Sequence, residues 1–475
     1  MIFFPNTNRM NKAEFGIIGL GVMGANLAAN AAEKGISISV YNRSEGIEAR
    51  VVADFLKDHP GEHIQGHTQL TDFVASLARP RKILIMVPAG APVDEVIDQL
   101  TPFLDRDDSI IDGGNSHYKD TFRRCGSLQK KGMAFFGVGV SGGASGARKG
   151  PSMMVGGQQT NYYLIQPILE SIAAKDPNGN PCVAYLGPQG CGHFVKMVHN
   201  GIEYAEMQLL AEAYVLLKPS LDHDTMAELL SEWNEGLEQS FLLETTINIL
   251  RKKENGTPLL EKVLDVAASK GTGSWTVQAA TELGAPASFT ASALFARSFS
   301  SLKKKRKQLA ALSNAAKTDA LITIEALQNA YRWARVLNHH EGLQLIQMAS
   351  DHYGWDVSLQ EITRVWTNGC ILASTLVVDI SKAISEEDFL QHPMFESTRK
   401  NGVPALDTIL TEASAQHIAV PCFSNALQYW YTMSSVSLPA NLIQAQRDSF
   451  GAHTYRRIDR LEDESFTTNW NNTHG

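Results

Sequence analysis

One long helical pattern runs from Gly190 to Lys218, opened by Gly190 and Gly192 and stopped by Pro219. At about 100° per residue, Lys196, His199, Asn200 and Glu203 fall within roughly a quarter turn, with Tyr204 at its edge. Val195, Val198, Ile202, Ala205 and Leu209 cover the rest. A solvated helix carries more Lys and Glu around it, so this narrow polar seam is expected to face a cleft inside the protein. Two readings stay open: an internal Lys/Glu ion pair, or an acid and a base lining a site with pKa values displaced by burial.

Upstream, short apolar runs alternate with helical or loop stretches. Glu14 to Leu20 reads as a buried strand, followed by an Ala-rich helix to Lys34 that Gly35 ends. Further strands are expected at Ser37–Tyr41, Lys82–Val87, Ser109–Asp112, Ala134–Val140, Ser152–Val155 and Val183–Leu186. In a doubly wound sheet, ligands bind at the strand ends, where Val87-Pro88-Ala89, Gly113-Gly114-Asn115 and Ser141-Gly142-Gly143 stand. Each glycine doublet alone is equally an ordinary turn. Downstream, helix-length periodicity covers Thr225–Asn234, Leu237–Leu250, Leu260–Lys270, Leu321–Leu337 and Ile362–Ile380, which predicts an all-helical domain. Leu438 to Tyr455 closes the packed helices and begins a polar tail carrying Arg447, His453, Tyr455, Arg456 and Arg457, either disordered or docked on something.

A chain of 475 residues, 44% hydrophobic, exceeds one ordinary domain. Its formal charge of -8 argues against nucleic acid or an anionic membrane as partner, while a local basic pocket can still receive an anionic metabolite. Lys303 to Lys307 accordingly reads as a solvated helix end. No segment approaches a membrane span, and the run Met1-Ile-Phe-Phe-Pro5 is short for a signal peptide, with Met10 an alternative start. Five cysteines without a C-x-x-C pair fit reduced thiols in the cytoplasm. His339, His340, Glu341 and His352 lack metal-ligand spacing, so no metal is expected.

The strongest chemical signal is Gly19-Leu20-Gly21-Val22-Met23-Gly24 between strand and helix, a dinucleotide fingerprint in its proper setting. Gly19 and Gly21 permit close backbone approach to a pyrophosphate, and Gly24 lets the helix close on the strand. About twenty residues on, where an NAD enzyme offers an acid to the ribose, stand Asn42-Arg43-Ser44. An arginine and a hydroxyl suit a 2′-phosphate, which favours NADP; the plainer alternative is an arginine that caps a turn.

Gly19 to Gly24, Asp112-Gly-Gly-Asn115, Gly139-Val-Ser-Gly-Gly143, Gly192 to Tyr204, Lys270-Gly-Thr-Gly273, Phe295-Ala-Arg297 and Gln444 to His453 stand in the order of the decarboxylating 6-phosphogluconate dehydrogenases, which this chain resembles from about residue 14 to the tail. The resemblance implies an α/β plus all-α protein: a Rossmann-type doubly wound sheet domain (1–188), a large all-helical substrate and dimerisation domain (189–447) and a C-terminal tail (448–475) reaching the partner subunit of a homodimer. It implies oxidation and decarboxylation of 6-phosphogluconate by NADP to ribulose 5-phosphate, carbon dioxide and NADPH. Lys196 is then the proton acceptor and Glu203 the later proton donor. Asn115, Ser141, Gly142, Gly143, His199, Asn200 and Tyr204 surround the sugar acid, and Lys270, Arg297, Arg447 and His453 hold its phosphate end. The cofactor falls to Gly19–Gly24, Asn42, Arg43, Ser44, Val87, Pro88, Ala89 and Asn115. The chain departs from the family's pattern at Pro88 and Ser274, where lysines are usual, and at Ala144-Ser145, where two acids are. Pro88 supplies neither a cation nor an amide donor to the cofactor. Two rivals are a β-hydroxyacid dehydrogenase of shorter substrates, which has no need of a phosphate clamp, and a non-catalytic NADP-binding protein, which should have lost Lys196 or Glu203.

Overall fold

The computed structural model describes residues 12–61, 63–268, 271–312, 322–384 and 388–471. The apolar runs of the first third assemble into one sheet of β1 (Phe15–Ile18), β2 (Ile38–Tyr41), β3 (Ile64–His67), β4 (Lys82–Ile85), β5 (Ser109–Asp112), β6 (Ala134–Val140), β7 (Met153–Gly157) and β8 (Val183–Gly187). Its order is β3-β2-β1-β4-β5-β6-β7-β8, parallel throughout except for the β6–β7 pair. The helices among these strands are α1 (Val22–Glu33), α2 (Val51–Asp58), α3 (Leu70–Ser76), α4 (Ala91–Leu100), α5 (Tyr118–Lys130), α6 (Gly143–Lys149) and α7 (Gln159–Ile172). Successive strand residues feed different apolar clusters, as a pleat requires: Ile17, Leu84 and Ile111 join one, while Ile18, Ile83, Ile85 and Ile110 join the other. The edge strand β3 escapes a reading by pattern because none of its four residues is fully buried.

Helices make up the rest: α8 (Cys191–Leu217), α9 (His223–Asn234), α10 (Phe241–Arg251), α11 (Thr272–Leu283), α12 (Ser288–Ser301), α13 (Lys303–Ala310), α14 (Ile324–Tyr353), α15 (Leu359–Val365), α16 (Thr375–Ala383), α17 (Glu396–Ala415), α18 (Pro421–Met433) and α19 (Ala440–Gly451). Four expected helices change shape. The Leu237 pattern begins helically only at Phe241, behind Ser240, whose hydroxyl caps the Leu243 amide. The Leu321–Leu337 pattern starts at Ile324 behind the Thr323 cap and runs on until Gly354, at φ +67°, ends it. The Ile362–Ile380 pattern is cut in two by a turn at Gly369, φ +69°, and restarts at the Ser374 cap. Leu260–Lys270 forms no α-helix over its described part: a short hairpin pairs Lys253–Glu254 with Thr257–Pro258, a 3-10 turn covers Leu259–Lys262, and residues 263–268 are irregular. Val263 and Leu264 stay exposed there, and an apolar stripe with nothing to pack on does not sustain a helix.

α8 packs on β6, β7 and β8 on one side and on α11, α12 and α14 on the other. Its approach to the sheet is set by glycines. A Cβ added at Gly139 would lie 2.3 Å from the Lys196 Cβ, and one at Gly192 would lie 2.4 Å from the Met154 carbonyl oxygen. Alternate glycines at 137 and 139 thus give β6 a bare face on which the first two turns of the helix rest. The other side of α8 is tied by buried polar contacts: Glu206 accepts from Arg335 Nε at 2.7 Å, and Asn338 Nδ2 donates to the Ile202 carbonyl at 3.1 Å. Farther along, the Glu212 carboxylate caps α18 by accepting from the amides of Cys422 and Phe423 at 2.9 and 3.0 Å.

The chain divides into two compact units, residues up to Ala426 and residues from Leu427. In the second, Asp448 on α19 accepts from the amides of Thr454 and Thr468 and from the Trp470 indole, and Tyr455 and Phe466 exchange backbone bonds. Lys303 and Arg306 of the basic run pair with Asp265. All five cysteines are unpaired and buried.

Gly139→Ala drives a methyl into the stem of Lys196. Overpacking of this kind costs about 1–3 kcal/mol, so urea denaturation should show a lowered midpoint; an unchanged midpoint would mean that α8 is free to lift from β6.

Candidate active site

Two groups of residues converge at strand ends. The first surrounds a cavity of about 450 Å³ lined by Gly19, Gly21, Asn42, Arg43, Val87 and Pro88 among others. Gly19 has φ +93° and would press a Cβ to 2.6 Å from the Met86 carbonyl oxygen, while a Cβ on Gly24 would strike the Gly19 carbonyl oxygen at 1.9 Å. Both positions therefore require glycine. Val22 and Met23 form the first turn of α1, which carries no side-chain cap and no acid, so its leading amides and positive dipole end are left for an anion. The Asn42 Oδ1 fixes the glycine loop by accepting from the Leu20 amide at 3.0 Å. Arg43 is exposed and pairs with Glu48. Ser44 and Ala89 stand exposed at the ends of their loops. These features fit a dinucleotide with a charged 2′ end.

The loops after β4 and β5 share one buried anchor. Arg124 on α5, 2% exposed, donates to the Gly90 carbonyl at 2.9 Å and to both Asp94 oxygens at 2.9 Å. It also reaches Asp112 Oδ2 at 3.2 Å. Asp112 in turn holds the loop leading to Asn115, accepting from the Gly114 amide at 3.1 Å and the Ser116 hydroxyl at 2.6 Å. One guanidinium therefore fixes both the Val87-Pro88-Ala89 loop and the Gly113-Gly114-Asn115 loop.

The second group is the seam of α8. Lys196, 6% exposed, donates from Nζ to Asn200 Oδ1 at 2.7 Å and to Ser141 Oγ at 3.1 Å, and lies 3.2 Å from His199 Nδ1. Among the described residues no carboxylate lies within ion-pair distance of this amine. Burial lowers its pKa below the ordinary lysine value, with Glu203 and the Cys370 thiol pulling it part of the way back. His199 is pushed well below its usual value by burial and by Lys196, and its ring meets the edge of Trp366 at 5.3 Å. Glu203 lies 3.8 Å from His199 Nδ1. Burial raises its pKa, against the opposing pull of Lys196 and Arg297. An amine biased toward neutral and a carboxyl biased toward protonated thus share one seam.

Ser141 is buried at the end of β6, and the turn after it needs glycine: Gly142 has φ +104°, and its Cβ would lie 2.5 Å from the Gly369 carbonyl oxygen. Next to Glu203 on α8, Tyr204 carries the Arg297 guanidinium 3.5 Å over its ring. Gly273, in the first turn of α11, leaves room for that ring, since a Cβ would sit 2.8 Å from it. Arg297 and the start of α11 thus meet on Tyr204, with Lys270 outside the described residues. Arg447 and His453 belong to the second unit, where Arg447 donates to Gln444 at 2.9 Å and His453 packs against Gly451. Sequence reasoning passed over Glu48, Arg124, Trp366 and Cys370. An arginine among acids spaced at element ends, Asp94 and Asp112, is the signal that marks Arg124; the two aromatic and thiol residues carry none.

Residues 14–187 match the family model described as the NAD binding domain of 6-phosphogluconate dehydrogenase, and residues 192–470 match that of the 6-phosphogluconate dehydrogenase C-terminal domain. The NADP(+)-dependent, decarboxylating 6-phosphogluconate dehydrogenase of Bacillus subtilis is 43% identical over 474 residues, covering 97% of this chain and all of that protein. The decarboxylating enzyme of Escherichia coli is 43% identical over 472 residues, with the same coverage. Among solved structures, Plasmodium falciparum 6-phosphogluconate dehydrogenase, described in its apo form and in complexes with NADP+ and with 6-phosphogluconate, superposes with a TM-score of 0.90 at 37% identity over 96% of this chain and 100% of that one.

A depressed amine pKa means that the folded state pays most for Lys196 when it is charged, below the folded pKa, and nothing above the ordinary lysine value. The stability of Lys196→Met relative to the parent should therefore shift in the variant's favour as pH falls, by about 1.4 kcal/mol per unit of depression. Denaturation midpoints across pH measure this, and a pH-independent difference would show an amine that titrates normally.

Proposed function

This chain belongs to the 6-phosphogluconate dehydrogenase family, and on that footing we propose that Lys196 and Glu203 are the base and the acid of its reaction. The enzyme catalyses the NADP-dependent oxidative decarboxylation of 6-phosphogluconate to ribulose 5-phosphate, carbon dioxide and NADPH. The observation that carries the assignment of roles is the Lys196 amine, buried on neutral acceptors with no carboxylate among the described residues paired to it.

When bound, NADP supplies the acceptor for the hydride of C3; Gly19–Gly24, Asn42, Arg43, Ser44, Val87–Ala89 and Asn115 are the residues we assign to holding it. Neutral Lys196 removes the proton of the C3 hydroxyl through Nζ. As ammonium it then stabilises the negative charge that grows on the C3 oxygen while carbon dioxide leaves, and returns the proton there. Glu203, whose pKa burial raises, delivers a proton to C1 of the enediol. Ser141 and Asn200 hold the amine in place, with Gly142, Gly143, His199 and Tyr204 around the sugar acid. Arg297, with Lys270, takes the phosphate, helped by the N-terminus of α11. The phosphate clamp also sets this reading apart from a short-substrate β-hydroxyacid dehydrogenase.

Arg447 and His453 we assign to the partner's site in a homodimer. In support, α19 leaves Leu442, Ile443 and Phe450 exposed, an apolar surface of the kind a partner chain covers. No described helix is long and apolar enough to cross a membrane. Five unpaired thiols favour the cytoplasm.

Lys196→Met and Glu203→Ala should each lower turnover at least a hundredfold while NADP still binds, read as NADPH absorbance and released carbon dioxide together with calorimetric titration of NADP. Parental turnover in either variant would remove that residue from the mechanism. Mixing Lys196→Met with Arg447→Ala, then dissociating and reassembling, should restore roughly a quarter of the sites, because in a mixed dimer one site collects both lesions and the other neither. Activity no higher than that of the two parents, with mixed dimers confirmed by mass, would place the arginine in its own chain's site.

A further inference from the structure

Arg43 is already occupied. Its Nε donates to Glu48 Oε2 at 2.9 Å and its Nη2 to Oε1 at 2.8 Å, a two-pronged grip on one carboxylate. Asn42 Nδ2 donates to the same Oε2 at 2.9 Å, and the other end of that amide holds the glycine loop through the Leu20 amide. The carboxylate is thereby fixed in the wall of the nucleotide cavity, which Glu48 and Glu95 both line. Glu45 and Glu95 add their fields at the guanidinium. Pro88, which also lines the cavity, brings no charge.

A 2′-phosphate arriving at Arg43 has to displace a carboxylate from the guanidinium fork and then sit among carboxylates, which opposes it by like charge. A ribose 2′-hydroxyl meets the reverse situation, a fixed carboxylate ready to accept its proton, the role an acid plays in NAD-binding sites of this fold. We propose that Glu48 sets the cofactor selectivity of this enzyme, competing with the 2′-phosphate for Arg43 and offering the 2′-hydroxyl an acceptor, so that the preference for NADP over NAD is held below what Arg43 alone would give. This rests on Arg43 as the residue that receives the 2′-phosphate.

The test uses the full-length protein and two nucleotide fragments that differ at the 2′ position, 2′,5′-ADP and 5′-AMP, titrated calorimetrically into the parent, Glu48→Gln, Glu48→Ala and Arg43→Ala. Glu48 lies in the three-residue turn Gly46–Glu48, and melting temperatures confirm folding of each variant. In both Glu48 variants 2′,5′-ADP should bind about two- to fivefold tighter, the range of an exposed ion pair released from competition, while 5′-AMP binds no tighter, so that the ratio of their affinities rises. The ratio of NADP to NAD affinity should rise with it. A ratio that stays level or falls in both Glu48 variants would overturn the proposal and make Glu48 a support that orients Arg43. Unchanged binding of 2′,5′-ADP by Arg43→Ala would overturn the premise itself, an outcome distinct from the first because it appears in a different variant.

Discussion

The approach of one helix to one strand governs this enzyme. Without side chains at Gly137 and Gly139, β6 admits the backbone of α8 so closely that the stem of Lys196 lies against the strand and its amine ends among Ser141, His199 and Asn200. Burial then does what a nearby cation or a metal does elsewhere: it disfavours the ammonium form without adding a charge. The same burial favours the protonated form of Glu203. The closeness of α8 to β6 thus sets the burial of the Lys196 amine.

The opposite side of α8 shows what holds that gap closed. Glu206, Arg335 and Asn338 form a hydrogen-bonded group in the interior of the helical region, and Glu212 holds the first turn of α18. Breaking one member of such a group leaves a buried charge unpaired, which is far more costly than losing a surface pair. Arg124 serves the nucleotide side in the same way, with one guanidinium spanning the loops that follow the paired strands β4 and β5.

Much of this was legible in the chain. The glycine fingerprint and the α8 seam are local patterns whose spacing dictates geometry, and both stand in the structure as the spacing requires. The alternation of β1, β2, β4, β5 and β6 was legible for the same reason. What escaped depended on partners distant in sequence. β3 has no burial signature of its own; Val263 and Leu264 carry an apolar pattern that finds nothing to cover it; the break at Gly369 follows from contact with Gly150 and Pro151. Glu48 was passed over because its importance lies in facing Arg43 across a short turn, and a turn of that kind carries no periodicity.

Of the 27 residues in α8, 21 are buried, against the sheet on one side and against helices on the other. The first half of this helix accordingly offers an engineer seeking heat resistance almost no ground to work on, because the buried residues there share their turns with Lys196, His199, Asn200 and Glu203. Increments of durability have to be added on solvent-facing surfaces such as Ile249 of α10, leaving the most tightly packed part of the molecule the least open to improvement.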